Sequence, residues 1–324
     1  TGGSNVAIGS SALLTEDGNG NNVAIGFEAL KVQNAGAEAY NVAIGYQAGV
    51  AVTTGTSNTL IGAVSGDAIT TGADNTGVGI NSLGSLTTGS NNVGIGTAAL
   101  DAATTASNNT AVGYGALGAN TTGTENTAVG KGALASNTTA SGVTAVGEDA
   151  LGANTTGASN TAVGEGALNS NTTADNNVAV GMAALAVNTT GANNVAVGTN
   201  ALDANTTSAN NVAVGYASLG GNTTGSDNTA VGREALLSNT TGTLNVAVGS
   251  TALDANTTGA ANTGVGLNSL SANTTANNNT AVGAYSLEAN TTGTGNTAVG
   301  QNAGADITTG DDNTIIGQAA GDAI

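Results

Sequence analysis

The chain has no cysteine, proline, histidine or tryptophan, and only three of its 324 residues are basic: Lys31, Lys131 and Arg233. Each absence closes a class of function. Without histidine and cysteine, the usual nucleophile–base arrangements and most transition-metal sites have nothing to build on. The lack of cysteine also rules out a disulfide framework, which is compatible with any redox compartment. A net charge of −18 denies the basic footprint that displaces counterions from nucleic acid. It likewise removes anionic membrane surfaces as partners. No apolar run reaches 18 residues, so no segment reads as a bilayer-spanning helix. No signal peptide is visible, and the chain does not begin with Met. Aromatics make up 2%, so the large side chains that usually fill a globular core are missing. An enzyme is not expected.

What remains is repetition. The word Asn-(Thr/Val)-Ala-(Val/Ile)-Gly begins at Asn5, Asn22, Asn41, Asn58 and Asn75, and then every 17 residues to Asn313, nineteen copies in all. One copy begins with Val143 in place of Asn, and a two-residue insertion lengthens the spacing between Asn22 and Asn41 to 19. Length alone suggests two domains. An unbroken period overrides that, because a repeat array is quasi-one-dimensional, and residues 1–324 read as a single continuous array. Thr1-Gly2 reads as the tail of a Thr-Thr-Gly run, and Ile324 stops where such a run is due, so a segment of a longer protein is expected. Residues 46–69 resemble residues 301–324, fifteen coils later, which suggests larger tandem modules.

The consensus coil is Asn-(Thr/Val)-Ala-(Val/Ile)-Gly-x-x-Ala-Leu-x-x-Asn-Thr-Thr-Gly-x-x, with positions one to seventeen. Its β-branched, alternating opening reads as a strand. Position five is always Gly, as at Gly9, Gly26, Gly45, Gly113, Gly130, Gly164, Gly181, Gly198, Gly215 and Gly317, and marks a structural turn. A second strand is expected over positions eight to thirteen, closed by a turn at position fifteen. Helix pairs do not fit in 17 residues of poor helix formers. Stacked coils give an all-β parallel β-solenoid, or β-roll, with coils ~4.8 Å apart and a rod on the order of 90 Å long.

Substitutions within the array indicate which side chains point inward. Position three is Ala or Gly except at Leu60 and Ile315, while position nine is Leu except at Gly49, Gly66, Gly304 and Gly321. Large residues at one place fall in or beside coils that are small at the other, as packing at fixed density requires. Position twelve is Asn at Asn120, Asn137, Asn154, Asn171, Asn188, Asn205, Asn222, Asn239, Asn256, Asn273 and Asn290, and elsewhere mostly apolar: Val52, Ile69, Leu86, Ala103 and Ile307. A site that accepts either is buried, with the amides stacked into a ladder. Positions two and four then face away from the coil interior. A constant Val/Ile there asks for a second buried surface, which another copy of the chain supplies, so a homo-oligomer is expected.

The word Asn-Val-Ala-Ile-Gly, at 5–9, 22–26 and 41–45, resembles the head repeats of YadA-like trimeric autotransporter adhesins, and similar words occur in phage tail-fibre proteins. The resemblance runs through all nineteen copies. It implies a left-handed roll in which three chains associate into a homotrimeric rod. The coil here is longer, through its Asn-Thr-Thr-Gly element. The coiled-coil stalk and anchoring barrel of that family, and the C-terminal chaperone domain of phage fibres, are not among these residues.

Other features have plain readings. Glu16-Asp17, Glu148-Asp149 and Asp311-Asp312 do not recur in register and read as solvated charge. Calcium binds Asp-rich turns in some β-rolls, but acids here are scattered over several positions, so no cofactor is expected and structural calcium stands as the alternative. The Asn-Thr-Thr runs match the N-glycosylation acceptor at eleven sites, although a buried Asn accepts no glycan. Phe27, Tyr46, Tyr114 and Tyr216 at position six, with Tyr285 one place later, are candidate ligand contacts or simply edge covers. Expected partners are the chain itself, as homotrimer or end-to-end filament, and a host-cell, matrix or glycan receptor; neither nucleic acid nor membrane insertion is expected. The expected function is that of an extracellular adhesive rod on a cell or virion. The alternatives are a purely structural filament or tail-fibre shaft and, through the Thr rows, an ice-binding solenoid.

Overall fold

The computed structural model describes residues 3–16 and 20–321. The Thr1-Gly2 tail, Asp17 and the Ile324 terminus discussed above lie outside them. The described residues form an all-β parallel solenoid with nineteen three-residue strands and no helix. They fall into two compact units. Thr1–Asn160 carries β1 (Val6–Ile8) through β9 (Thr144–Val146), and Thr161–Ile324 carries β10 (Thr161–Val163) through β19 (Thr314–Ile316).

In the first unit every pairing is parallel and one coil apart, as in Val6↔Val23, Ala7↔Ala24 and Ile8↔Ile25. The two-residue insertion leaves that register intact, because Val23 still pairs with Val42. The Asn34 N–H donates to the Thr53 carbonyl at 2.8 Å and the Ala39 N–H to the Gly20 carbonyl at 3.1 Å, so the coil loops out only between them. The second unit follows the same rule, from Thr161↔Val178 through to Val299↔Ile316.

The expected second strand over positions eight to thirteen is not formed. Each coil has one strand, at positions two to four, and the rest is turns. The reason lies in adjacent inward residues. Ala116 and Leu117 are both fully buried, and extended backbone would send neighbouring side chains to opposite faces. The chain turns both inward by adopting the left-handed region at positions seven and nine, as at Ala217 (φ +51°) and Leu219 (φ +52°). Hydrogen bonds still run from coil to coil through these turns, for example from the Leu117 N–H to the Ala133 carbonyl at 3.1 Å and from the Thr121 N–H to the Thr138 carbonyl at 2.9 Å.

The interior is a narrow column lined by positions one, three, eight, nine, twelve and fifteen. In one coil these are Asn109, Ala111, Ala116, Leu117, Asn120 and Gly123, all buried. The inverse relation between positions three and nine is visible as contact. A Cβ on Gly49 would stand 2.9 Å from Leu60 Cδ1, and one on Gly304 would stand 2.8 Å from Ile315 Cδ1. A related exchange involves position eight, where a Cβ on Gly77 would stand 2.7 Å from Ser65 Oγ.

The constant Gly at position five has two causes. Its φ lies between +128° and +142°, a region side chains avoid. A Cβ there would also meet the glycine carbonyl of the next coil, at 2.4 Å between Gly113 and Gly130. At position fifteen the approach is close but a Cβ is accommodated, since Ala106, Ala140, Ala174, Ser208 and Ala276 stand there in other coils. Gly55 has no positive φ, but its Cβ would stand 2.4 Å from the Gly72 carbonyl oxygen.

Candidate functional site

Two internal ladders hold the coils in register, and the outward columns follow from them. At position twelve, from Asn120 onward, Asn Nδ2 groups donate to the Oδ1 of the Asn one coil earlier. In the first unit the distances are 2.9 Å from Asn137 to Asn120 and 3.3 Å from Asn154 to Asn137. In the second unit Asn188 reaches Asn171 at 3.1 Å, Asn239 reaches Asn222 at 2.8 Å, and Asn290 reaches Asn273 at 3.2 Å. The same nitrogens donate to the carbonyl three residues on, as Asn239 does to Gly242 at 3.0 Å. The ladder stops at Asn290, whose buried Oδ1 has no partner where Ile307 replaces the next Asn.

The position-one Asn forms a second ladder that the sequence reading passed over. Asn58 Oδ1 accepts both the Asn75 backbone N–H and Asn75 Nδ2, each at 3.1 Å. Asn58 Nδ2 donates to the Gly72 carbonyl at 2.9 Å. The side chain therefore replaces a backbone carbonyl for the residue just before each strand, where the main chain alone leaves the N–H unpaired. The signal was available: a polar residue beside the inward Ala, recurring in all copies but one. At that copy Val143 keeps its own N–H on Asn126 Oδ1 at 3.0 Å and is fully buried.

With positions one and three inward, positions two and four point out. They form two parallel columns on the strand face, Val or Thr in one and Val or Ile in the other. Ile95 is 38% exposed, Val129 36%, Val231 36% and Val299 38%. Each unit therefore presents an unbroken β-branched stripe, because the strands beneath it are in register. The position-fourteen Thr row is also exposed, as at Thr88 and Thr122, but it is one residue wide. The position-thirteen hydroxyls turn back to donate to the carbonyl one coil on, as from Thr121 to Thr138 at 3.0 Å.

The structure brings together two of the four position-six aromatics. The rings of Phe27 and Tyr46 stack with centroids 5.5 Å apart and planes 9° from parallel. Tyr114, in the first unit, and Tyr216, in the second, stand at the same coil position, each exposed. Beside the stack, Glu28 accepts from Lys31 Nζ at 2.7 Å and Gln47 Nε2 at 2.8 Å, and these two donors hold its carboxyl below the usual range. The cluster could be read from the sequence only once the register of neighbouring coils was known.

The remaining charges are dispersed. Lys131 pairs with Glu148 one coil on at 2.8 Å, and Arg233 with Glu234 at 3.0 Å, both on the surface. Asp67, Asp101, Asp203 and Asp254 share position ten, where partial burial raises their carboxyls against the opposing pull of backbone N–H groups. Among the described residues no three acids gather into a metal-holding group, and no helix is long and apolar enough to cross a membrane. A scan against protein-family models finds no match to this chain, and no curated protein is matched by its sequence.

Proposed function

We propose that this chain is part of an extracellular adhesive rod, a left-handed homotrimer displayed on a cell or virion, whose repeated outer columns bind a cell-surface, matrix or glycan receptor. The observation carrying the reading is the β-branched stripe of positions two and four. At roughly a third exposed per Val or Ile, its burial stabilises an assembly by about 0.5–1 kcal/mol per side chain. Summed along successive coils, that outweighs the ordering entropy of association. The resemblance of Asn-Val-Ala-Ile-Gly to adhesin head repeats supports three chains and an adhesive role. Attachment would be multivalent: weak contacts at Phe27, Tyr46, Tyr114 and Tyr216 add through effective concentration.

Light scattering with negative-stain imaging of the purified chain tests the assembly. A discrete trimer that dissociates in Val129→Asp/Val231→Asp is expected. A monomer overturns the buried stripe. Open-ended fibres move the reading to a structural filament, in which the coils polymerise and bind nothing specific.

A further inference from the structure

The sequence holds thirteen Asn-x-Ser/Thr acceptor tripeptides: the eleven Asn-Thr-Thr runs at position twelve, plus Asn108-Asn109-Thr110 and Asn278-Asn279-Thr280. N-glycosyl transfer needs the amide nitrogen free in space. Asn Nδ2 attacks the anomeric carbon of a sugar carried on a diphosphate, the C–O bond to the diphosphate breaks, the diphosphate leaves with the electron pair, and Nδ2 loses one proton.

At position twelve the fold withholds that nitrogen in two ways. The side chains are fully buried. Within the ladder both amide hydrogens are also in use: Asn239 Nδ2 donates to Asn222 Oδ1 at 2.8 Å and to the Gly242 carbonyl at 3.0 Å, and Asn256 Nδ2 to Asn239 Oδ1 at 2.9 Å and the Gly259 carbonyl at 3.0 Å. There is no room for added atoms, since even a Cβ on Gly242 would stand 2.4 Å from Asn239 Oδ1. A sugar on any of these nitrogens therefore excludes the folded coil.

Asn108 and Asn278 are the opposite case. Each occupies position seventeen, the exposed corner before the strand, at φ +61° and +60°. The middle residue of each tripeptide, Asn109 or Asn279, points inward and belongs to the position-one ladder. The flanking acceptor Asn108 or Asn278 is exposed, and the hydroxyl-bearing Thr110 or Thr280 is not buried.

We infer that the fold sorts these tripeptides: Asn108 and Asn278 are the N-glycan acceptor sites of the folded chain, and the eleven position-twelve Asn are protected from the same transferase. The sorting does not rest on the adhesive reading, and it holds for any host.

The test uses the chain folded after synthesis in a cytoplasm without N-glycosyltransferase. It is incubated with a soluble transferase that recognises Asn-x-Ser/Thr, with UDP-glucose as the sugar donor. The same enzyme is applied to peptides released by protease digestion, and hexose is mapped by mass spectrometry. On the folded chain, hexose is expected at Asn108 and Asn278, lost in Asn108→Gln/Asn278→Gln, with none at position twelve. On the peptides, hexose is expected at position twelve as well. Hexose on Asn239 or its ladder neighbours in the folded chain overturns the inference. So does its absence from Asn108 and Asn278, and so does the same pattern on protein and peptides, because the fold would then not be what selects.

Discussion

Leu60 occupies the space that a side chain at Gly66 would fill, since a Cβ on Gly66 would lie 2.6 Å from Leu60 Cδ2. The two positions share one small volume and should answer to mutation as a pair. Leu60→Ala alone is expected to cost about 2–4 kcal/mol through the cavity it leaves. Gly66→Leu alone is expected to cost about 1–3 kcal/mol through overpacking. The double variant restores the consensus pattern and should cost at least 1 kcal/mol less than the sum. Denaturant unfolding of the four proteins measures the coupling; simple additivity would show that the volumes are independent.

Gly113 tests the position-five column. Gly113→Ala must place a Cβ 2.4 Å from the Gly130 carbonyl oxygen at φ +137°. A loss of about 3 kcal/mol or more is expected. Gly115→Ala is the control, because a Cβ there meets nothing within 4 Å. It carries only the milder penalty of a left-handed φ, about 1 kcal/mol. Equal thermal shifts for the two variants would mean that close approach contributes nothing at Gly113.

The position-one ladder predicts an effect beyond the mutated side chain. Asn58→Ala removes the acceptor of the buried Asn75 N–H and the donor to the Gly72 carbonyl. The expected loss is about 2–4 kcal/mol, since buried groups on both sides are left unpaired. Hydrogen exchange should show the Asn75 amide opening first. An unchanged exchange rate there would remove the ladder from the account.

At position twelve, Ile69→Asn and Ile307→Asn make the same chemical change in different surroundings. Ile69 lies between Val52 and Leu86, so a new amide finds no column partner. Ile307 follows Asn290, whose Oδ1 is unpartnered and would gain a donor. Ile307→Asn should therefore cost about 1–2 kcal/mol less than Ile69→Asn. Calorimetry on the two variants decides it, and equal costs would count against cooperation within the ladder.

Asp254 sets a pH dependence. Burial raises its carboxyl above the ordinary 3.8, the N–H groups of Asp254 and Ala255 partly oppose this, and Glu234 adds to the rise. The folded state thus holds the proton more tightly than the unfolded chain. The contribution is fully present below 3.8 and is lost as pH rises through the folded value. Asp254→Asn is expected to raise the melting temperature at pH 7 and to leave it unchanged near pH 3. An equal shift at both pH values would sink the assignment.

Much of this arrangement was legible in the chain itself. Period, strand position and the inward set at positions three, nine and twelve all follow from which residues trade volume, because neighbouring coils act as natural variants of one environment. Ala116-Leu117 shows the limit. Two adjacent apolar residues read from the sequence as part of a second strand, whereas both point inward and so require left-handed backbone between them. Asn58 shows another limit. A constant residue gives no volume exchange to read, and its bond to the next coil's N–H appears only when coils are stacked. Phe27 and Tyr46 share position six in consecutive coils, but that their rings stack is seen only once those coils are paired.

The Asn columns have a direction. Every amide bond described in them runs from the nitrogen of one coil to the oxygen of the coil before it, as from Asn75 to Asn58 and from Asn256 to Asn239. The side-chain dipoles add head to tail, and the two ends of such a stack are chemically unlike. An arriving coil finds ready acceptors on the C-terminal side of what is already ordered. A coil added on that side has its Nδ2 satisfied as it lands and carries an open Oδ1 forward, whereas a coil added on the N-terminal side has its Oδ1 satisfied and carries an open amide hydrogen. A coil meeting the stack from its C-terminal side must therefore offer a donor, and Ile307 offers none to Asn290 Oδ1.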